Sequence, residues 1–330
     1  MKGLILCAGK GTRLYPITLN FPKTLIPVAN ISILQACIEK LTELAIVEIG
    51  VVIHPSQEGL IREQVGHGEA WGAAITYIYQ YEARGISDAV RQAQTFIGEE
   101  AFLLLLGDNL ISQSLAELKL DVEERGSHGS LLLAEVANPR DYGIAEVLEG
   151  RIVQLEEKPK APKSKLAVLG AYAFDSTIFE AVDHIKPSPR GEYEITDAIQ
   201  WLIEHGKQVT YHVTEQLNMD VGTVGRWLDA NRQMLAVLPP QNAIHKSVVA
   251  ENCTIIAPVS INQGCVLKNC VIGPYVSIGA DSQIEGCHIE NSILLSGVHL
   301  KHIPYPLKDT VIGRQSAMTG LQAQKEGGNE

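Results

Sequence analysis

Leu4-Ile5-Leu6-Cys7-Ala8-Gly9-Lys10-Gly11-Thr12-Arg13-Leu14-Tyr15-Pro16 decides how the first two thirds of this chain are read. A short apolar run ending in glycines is a buried strand that delivers a loop. Gly9 and Gly11 let the backbone approach a phosphate closely and adopt positive φ. Their amides, with Arg13, form an anion-binding nest. Lys23, in Phe21-Pro22-Lys23-Thr24-Leu25-Ile26-Pro27, supplies a second cation. The glycine spacing is neither GxGxxG nor GxxxxGK[ST], which disfavours a dinucleotide site and a P-loop.

Working outward, strand-like and helix-like segments alternate. Leu4 to Cys7, Ile46 to Ile53, Ala73 to Tyr79 and Ala101 to Leu106 read as strands. Leu34 to Leu44, Gly59 to Val65 and Asp88 to Ile97 read as helices. This alternation predicts an α/β fold with a doubly wound, mostly parallel sheet. Ligands of such sheets bind beyond the C-terminal strand ends. The loops after Leu6 and Leu106 are therefore the first places to look.

Leu238-Pro239-Pro240-Gln241-Asn242 interrupts the pattern as a linker. A period of six follows. Apolar residues recur at Val249, Ile255, Ile261 and Leu267, then, shifted by one, at Ile272, Ile278 and Ile284. Hexapeptide repeats predict a parallel β-helix, left-handed in type, with three faces per coil. These hexads predict two to three coils, stable only when stacked. The domains are then 1–237, a β-helix over 238–310, and a tail over 311–330. The end of the tail, from Gln322, has nothing to bury and is expected to be disordered.

Bulk properties narrow the partners. The chain has 330 residues and a net charge of −11. That length suits about two domains. That charge argues against nucleic acid or an anionic membrane as main partner, but not against a nucleotide held by a few placed cations. No run approaches the ~20 apolar residues of a membrane span, and the N-terminus has no signal-peptide pattern. The six cysteines form no CxxC pair, and no histidine spacing completes a zinc site. Reduced thiols in a cytoplasmic protein are the expectation.

Gly9-Lys10-Gly11-Thr12-Arg13-Leu14, with Pro16 and Pro22-Lys23, resembles the signature of the sugar nucleotidylyltransferase family. The similarity is to glucose-1-phosphate thymidylyltransferases of the long type, which append a β-helix. Leu106-Gly107-Asp108-Asn109, Asp141-Tyr142-Gly143 and Glu156-Glu157-Lys158-Pro159 follow in the family's order. So do Pro187 to Asp197 (PSPRGEYEITD) and Asp220-Val221-Gly222-Thr223. Together they span nearly the whole first domain.

The resemblance implies a Rossmann-like nucleotidyltransferase. It would join a nucleoside monophosphate unit from dTTP to glucose 1-phosphate and release pyrophosphate. The sugar-phosphate nucleophile is already anionic, so no general base is required. Catalysis must align two polyanions and neutralise charge on the α-phosphate and leaving group. Carried over by position, Gly9, Gly11 and Thr12 hold nucleotide, and Arg13 and Lys23 are catalytic cations. Gln80 and Gly85 face the base. Tyr142, Gly143, Glu157, Lys158, Val168 and Arg190 hold the sugar phosphate. Asp108 and Asp220 resemble the Mg²⁺ ligands.

A Gln amide complements the imide edge of thymine or uracil, so Gln80 does not separate dTTP from UTP. A UTP-using glucose- or N-acetylglucosamine-1-phosphate uridylyltransferase is the alternative; a non-catalytic sugar-nucleotide-binding regulator is the other. Three sites depart from the family pattern. Asp88 brings a negative charge near base or ribose, Asn218 replaces an aromatic, and Ile31-Ser32 replaces Lys-Pro. Hexapeptide β-helices also occur in acyltransferases that use a His, and His245, His288, His299 and His302 are present. A structural or homo-oligomerising role is expected of this domain instead.

Overall fold

The computed structural model describes residues 1–215 and 218–320, without the side chains of Asn218, Asp220 and Asn242. The readings made on the Asp220 and Asn218 side chains and on the tail from Gln322 lie outside the described residues. The chain forms two compact units. One comprises Met1–Ile26 and Ile33–Asp220, the other Pro27–Ser32 and the chain from Val221 onward. No helix among the described residues is long and apolar enough to cross a membrane.

The first unit is built on a nine-stranded mixed sheet among the described residues. Its strands are β1 (Lys2–Leu6), β2 (Glu48–Ile53), β3 (Ala74–Tyr79), β4 (Phe102–Leu106), β5 (Gly129–Glu135), β6 (Gly143–Leu148), β7 (Arg151–Glu157), β8 (Leu166–Phe174) and β9 (Val209–Val213). The path runs β7-β6-β8-β4-β1-β2-β3, with β5 pairing β8 and β9. β3, β2, β1 and β4 are mutually parallel, as the alternating N-terminal segments predict. β8 turns the sheet antiparallel against β4. β6 and β7 form a hairpin whose two turn residues, Glu149 and Gly150, have φ of 50° and 75°. That is the left-handed pair a tight two-residue hairpin requires.

Burial follows the pattern. Leu4, Phe102 and Leu104 are fully buried in the central strands. The helix Ile195–Glu204 buries Ile195, Ala198, Ile199 and Leu202, one stripe at helical spacing. The helix predicted over Asp88 to Ile97 is two shorter ones, Ile86–Gln92 and Gln94–Ile97, joined at Ala93.

Asp121, in the helix Ala116–Glu123, is the sheet's most connected buried charge. Its carboxylate accepts from Thr210 Oγ1 at 2.6 Å, Ser130 Oγ at 2.8 Å and Arg125 at 2.8 Å, and contacts His212 Nε2 at 2.8 Å. Burial opposes its charge, yet the hydrogen bonds from Thr210, Ser130, Arg125 and His212 prevail and hold its pKa at about 2.

In the second unit, short parallel strands stack in three ladders, the arrangement of a left-handed β-helix. One ladder has five strands and two have four. The described residues therefore contain four coils and a fifth strand, more than the two to three coils predicted. Val249 pairs in turn with Val266, Gln283, His299 and Ala317, so successive coils are 17, 17, 16 and 18 residues long. The sixfold period breaks after Ile284, which conceals the later coils in the sequence. Three aliphatic columns fill the interior: Ile255-Ile272-Ile289-Leu307, Ile261-Ile278-Leu294-Ile312, and Leu267-Ile284-Leu300. Val249 is a correction. It is 46% exposed, and Ala250 takes its place in register with Leu267.

The hairpin Pro27–Ser32 belongs to this unit. Ala29 and Asn30 form its turn, with φ of 49° and 66°. Asn30 Nδ2 donates to the Ser260 and Ile278 carbonyls, both at 3.0 Å. Asn231 Oδ1, on the helix Val224–Val237, accepts from the Ala29 amide at 2.9 Å and Ser277 Oγ at 2.7 Å. Trp227 Nε1 donates to the Pro27 carbonyl at 2.7 Å. Ile31-Ser32, where the family has Lys-Pro, is the returning strand of this hairpin.

Two outcomes follow from these contacts. Asn231→Ala is expected to cost about 1–3 kcal/mol, because the buried Ala29 amide loses its acceptor. Urea unfolding followed by circular dichroism measures it, and an unchanged midpoint would show that this amide does not hold the hairpin. The second concerns pH. The folded pKa of Asp121 lies below its ordinary value, so its contribution is present above about pH 4 and is lost as pH falls toward 2. The advantage of wild type over Asp121→Asn should therefore shrink by about 2 kcal/mol over that window. A gap independent of pH would contradict the assignment.

Candidate active site

Along the sheet, the chain winds from β1 outward to β2 and β3 on one side, and reaches β4 on the other. The strand order reverses between β1 and β4. A crevice opens at such a point beyond the strands' C-terminal ends. Leu6 and Leu106 are register partners there, so the glycine loop and Gly107-Asp108 leave the sheet side by side. The Gly107 amide donates to the Leu6 carbonyl at 2.9 Å. These are the two loops that the sequence singles out.

Two clefts meet at this point. The larger, of about 620 Å³, is lined by Arg13, Asp108, Tyr142, Gly143, Glu157, Lys158 and Val168 among others. The smaller, of about 320 Å³, is lined by Gly9, Lys23, Gln80, Gly85 and Asp108 among others. Ile86, Leu106 and Asp108 line both. The predicted sugar-phosphate positions other than Arg190 thus gather in one cleft, and most predicted nucleotide positions in the other.

Asp108 sits where they join. Its Oδ2 accepts from Lys23 Nζ at 2.7 Å, and Lys23 is buried. Asp108 Oδ1 carries no hydrogen bond or ion pair among the described residues. Antiparallel pairing of Asn218–Asp220 with Asn109–Ile111 sets Asp220 opposite Asn109, so the two metal-ligand candidates lie close along the backbone.

The larger cleft is shaped by the β6–β7 hairpin. Gly143 and Glu157 are register partners, and the Lys158 amide donates to the Tyr142 carbonyl at 3.0 Å. A Cβ on Gly143 would come within 2.7 Å of Thr196 and 3.0 Å of Glu157 Oε2. Burial pushes the Glu157 carboxyl up, against the opposing pull of Lys158 and Arg190. A carboxyl so placed accepts hydroxyl hydrogen bonds. Arg190 does not line the cleft; its guanidinium lies 3.4 Å from Glu157 and 3.2 Å from Glu194.

Gly11 and Thr12 line neither cleft. Gly11 has φ of 62°, and a Cβ there would approach Lys23 Cβ to 3.0 Å. It shapes the loop around Lys23. Nothing lies within 4 Å of a Cβ built on Gly9, which leaves room beside the loop for a ligand. Gly85 has φ of 103°, and a Cβ there would meet the Tyr193 carbonyl at 2.5 Å. That glycine is required by the loop holding Arg190 and Glu194, which packs on the Gly85 turn.

Two residues here were not foreseen in these roles. Thr196 is buried and lines the larger cleft, and its hydroxyl has no hydrogen-bond partner among the described residues. No spacing marks it; only burial does. Asp88 lines neither cleft and instead bonds Gln80 from behind. Its charge therefore does not face the pocket as the sequence suggested. Burial pushes the thiols of Cys7, which lines the smaller cleft, and Cys37 up, Cys37 to about 12, which disfavours the reactive thiolate at neutral pH.

The chain matches the nucleotidyl transferase family model over residues 2–237. It is 38% identical over 315 residues to the low-salt glycan biosynthesis nucleotidyltransferase Agl11 of Haloferax volcanii, covering 89% of this chain and 87% of that one. A glucose-1-phosphate thymidylyltransferase of Streptomyces griseus is 34% identical, over 97% of this chain and 94% of its own. The UTP–glucose-1-phosphate uridylyltransferase AglF of Haloferax volcanii is 34% identical, over 67% of this chain and 91% of its own. A crystal structure of a provisionally named glucose-1-phosphate thymidylyltransferase from Bacillus anthracis, in complex with sucrose, aligns with a TM-score of 0.67 at 34% identity. It covers 71% of this chain and 94% of that one. With a family match across the whole sheet-bearing region and relatives aligned along nearly the full length, the chain belongs to the nucleotidyl transferase family and is a sugar-1-phosphate nucleotidylyltransferase.

Proposed function

We propose that this enzyme transfers dTMP from dTTP to glucose 1-phosphate, giving dTDP-glucose and pyrophosphate. Enzymes of this family act on a nucleoside triphosphate and a sugar 1-phosphate, and generally use a divalent metal. The observation that carries the reading is Asp108 at the junction of the two clefts, 2.7 Å from the buried Lys23. The base and triphosphate occupy the smaller cleft, with Gly9 and Lys23 on the phosphates and Arg13 facing them from the larger cleft. The sugar phosphate occupies the larger one, with Lys158 on its phosphate; Arg190 stands outside this cleft on Glu157 and Glu194 and would have to leave them to join it. Glu157, Tyr142, Gly143 and Val168 line its sugar.

A sugar-phosphate oxygen forms the new bond to the α-phosphorus, and the bond from that phosphorus to the β-phosphate oxygen breaks. Both reactants arrive as anions, so the protein's task is alignment and charge neutralisation. Lys23 is suited to this as a point charge, Arg13 as a bidentate fork. The donor set fits Mg²⁺, which takes hard oxygen ligands and few carboxylates. Asp108 Oδ1 and Asp220 would hold it. Bound there, it would offset negative charge on the phosphates.

Gln80 meets an edge that thymine and uracil share, and AglF is named for UTP. Pyrophosphate release from dTTP and UTP with glucose and N-acetylglucosamine 1-phosphates therefore tests the substrate pair. Turnover is expected to be best for dTTP with glucose 1-phosphate; best turnover with UTP would establish a uridylyltransferase. For the metal site, Asp108→Asn should lower kcat about 10³-fold or more. Its circular-dichroism spectrum should stay that of wild type, while its thermal midpoint should fall, because the buried Lys23 loses a charged partner. Near-normal turnover in that variant would sink the assignment.

A further inference from the structure

We infer that Asp88 is a positioning residue: it fixes which face of the Gln80 amide the base meets, and so makes the site select nucleobases with a ring N–H on their pairing edge. This rests on reading the cleft around Gln80 as the base site. Both side chains are only 5% exposed. Gln80 Nε2 donates to Asp88 Oδ2 at 2.8 Å and to the Gly85 carbonyl at 3.2 Å. Each neighbour of that nitrogen is an acceptor. Rotating the amide would set Oε1 against a carboxylate and a carbonyl with no proton between them, in a buried place where lost hydrogen bonds are costly. Both hydrogens of Nε2 are therefore spent inside the protein.

What remains for a ligand is Oε1, which accepts no hydrogen bond among the described residues. Gln80 lines the cleft together with Ala83, Gly85, Ile86 and Ala89, whereas Asp88 does not. The carboxylate thus acts through the amide and does not touch the base. An obligate acceptor complements N3–H of thymine or uracil. It opposes N3 of cytosine, which is itself an acceptor. A glutamine free to rotate would serve both bases. A neutral partner at position 88 with its own donor would make that rotation less costly, because it can donate to Oε1 and leaves only the more distant Gly85 carbonyl opposing it.

The test compares kcat/KM for dTTP, UTP and dCTP with glucose 1-phosphate in wild type, Asp88→Asn and the double variant Q80E/D88N. In Asp88→Asn the preference for dTTP and UTP over dCTP should fall at least about tenfold, the scale of one oriented hydrogen bond. In Q80E/D88N it should return, because a carboxylate accepts in either orientation. A merely structural role would lower all three nucleotides alike and leave the ratio unchanged, and that result overturns the inference. Loss of preference in the double variant overturns it too, and the double variant decides the matter if Asp88→Asn does not fold. A wild-type enzyme that used dCTP as well as dTTP would overturn the base-site reading itself, and this inference with it.

Discussion

The 2.7 Å contact between Lys23 and Asp108 is the constraint around which the catalytic unit is arranged. A buried lysine is costly unless paired. The pairing demands that two loops more than eighty residues apart in sequence leave the sheet together. Parallel register between β1 and β4 meets that demand, since Leu6 faces Leu106. Glycines at 11 and 107 let the loops pack closely enough to keep the pair formed. Asp108 in turn lines both clefts, so the carboxylate that holds Lys23 also marks where the two substrates would meet.

An acidic chain that handles two polyanions has to solve a local electrostatic problem. The net charge of −11 is not kept out of the crevice: Arg13, Lys23 and Lys158 line its two clefts beside Asp108, Glu135, Asp141, Glu157, Glu192 and Glu215. Some of the acidic groups in this region are tied down. Glu157 and Glu194 both contact Arg190, and Asp88 is committed to Gln80. Each such pairing limits how strongly a carboxylate repels an incoming phosphate.

The β-helix obeys a simpler rule. Parallel ladders align like residues, so Ile, Val and Leu fall into columns regardless of coil length. Coils of 16 to 18 residues are tolerated because length differences are absorbed at the corners between faces. The strict sixfold count was therefore legible only through Ile284. The later coils keep their inward Leu300, Leu307 and Ile312 but lose the spacing that reveals them. The hairpin at 27–32 was not legible as part of this unit, since its partners Ser260 and Ile278 lie more than two hundred residues away.

By itself the sequence determined the local features: a buried strand ending in Gly9 and Gly11, alternating elements through Leu106, hexad columns from Ile255, and the residue types of a charge-neutralising site. These depend on neighbours within a turn or a strand, where periodicity and glycine stereochemistry suffice. Only the tertiary structure decided which of those residues share a cleft. It set Asp88 behind Gln80, left the Thr196 hydroxyl without a partner among the described residues, and moved Arg190 onto Glu157 and Glu194. Those outcomes hinge on pairings between distant segments. A side chain's role is set by which acceptors and donors burial leaves beside it, and spacing along the chain does not encode that.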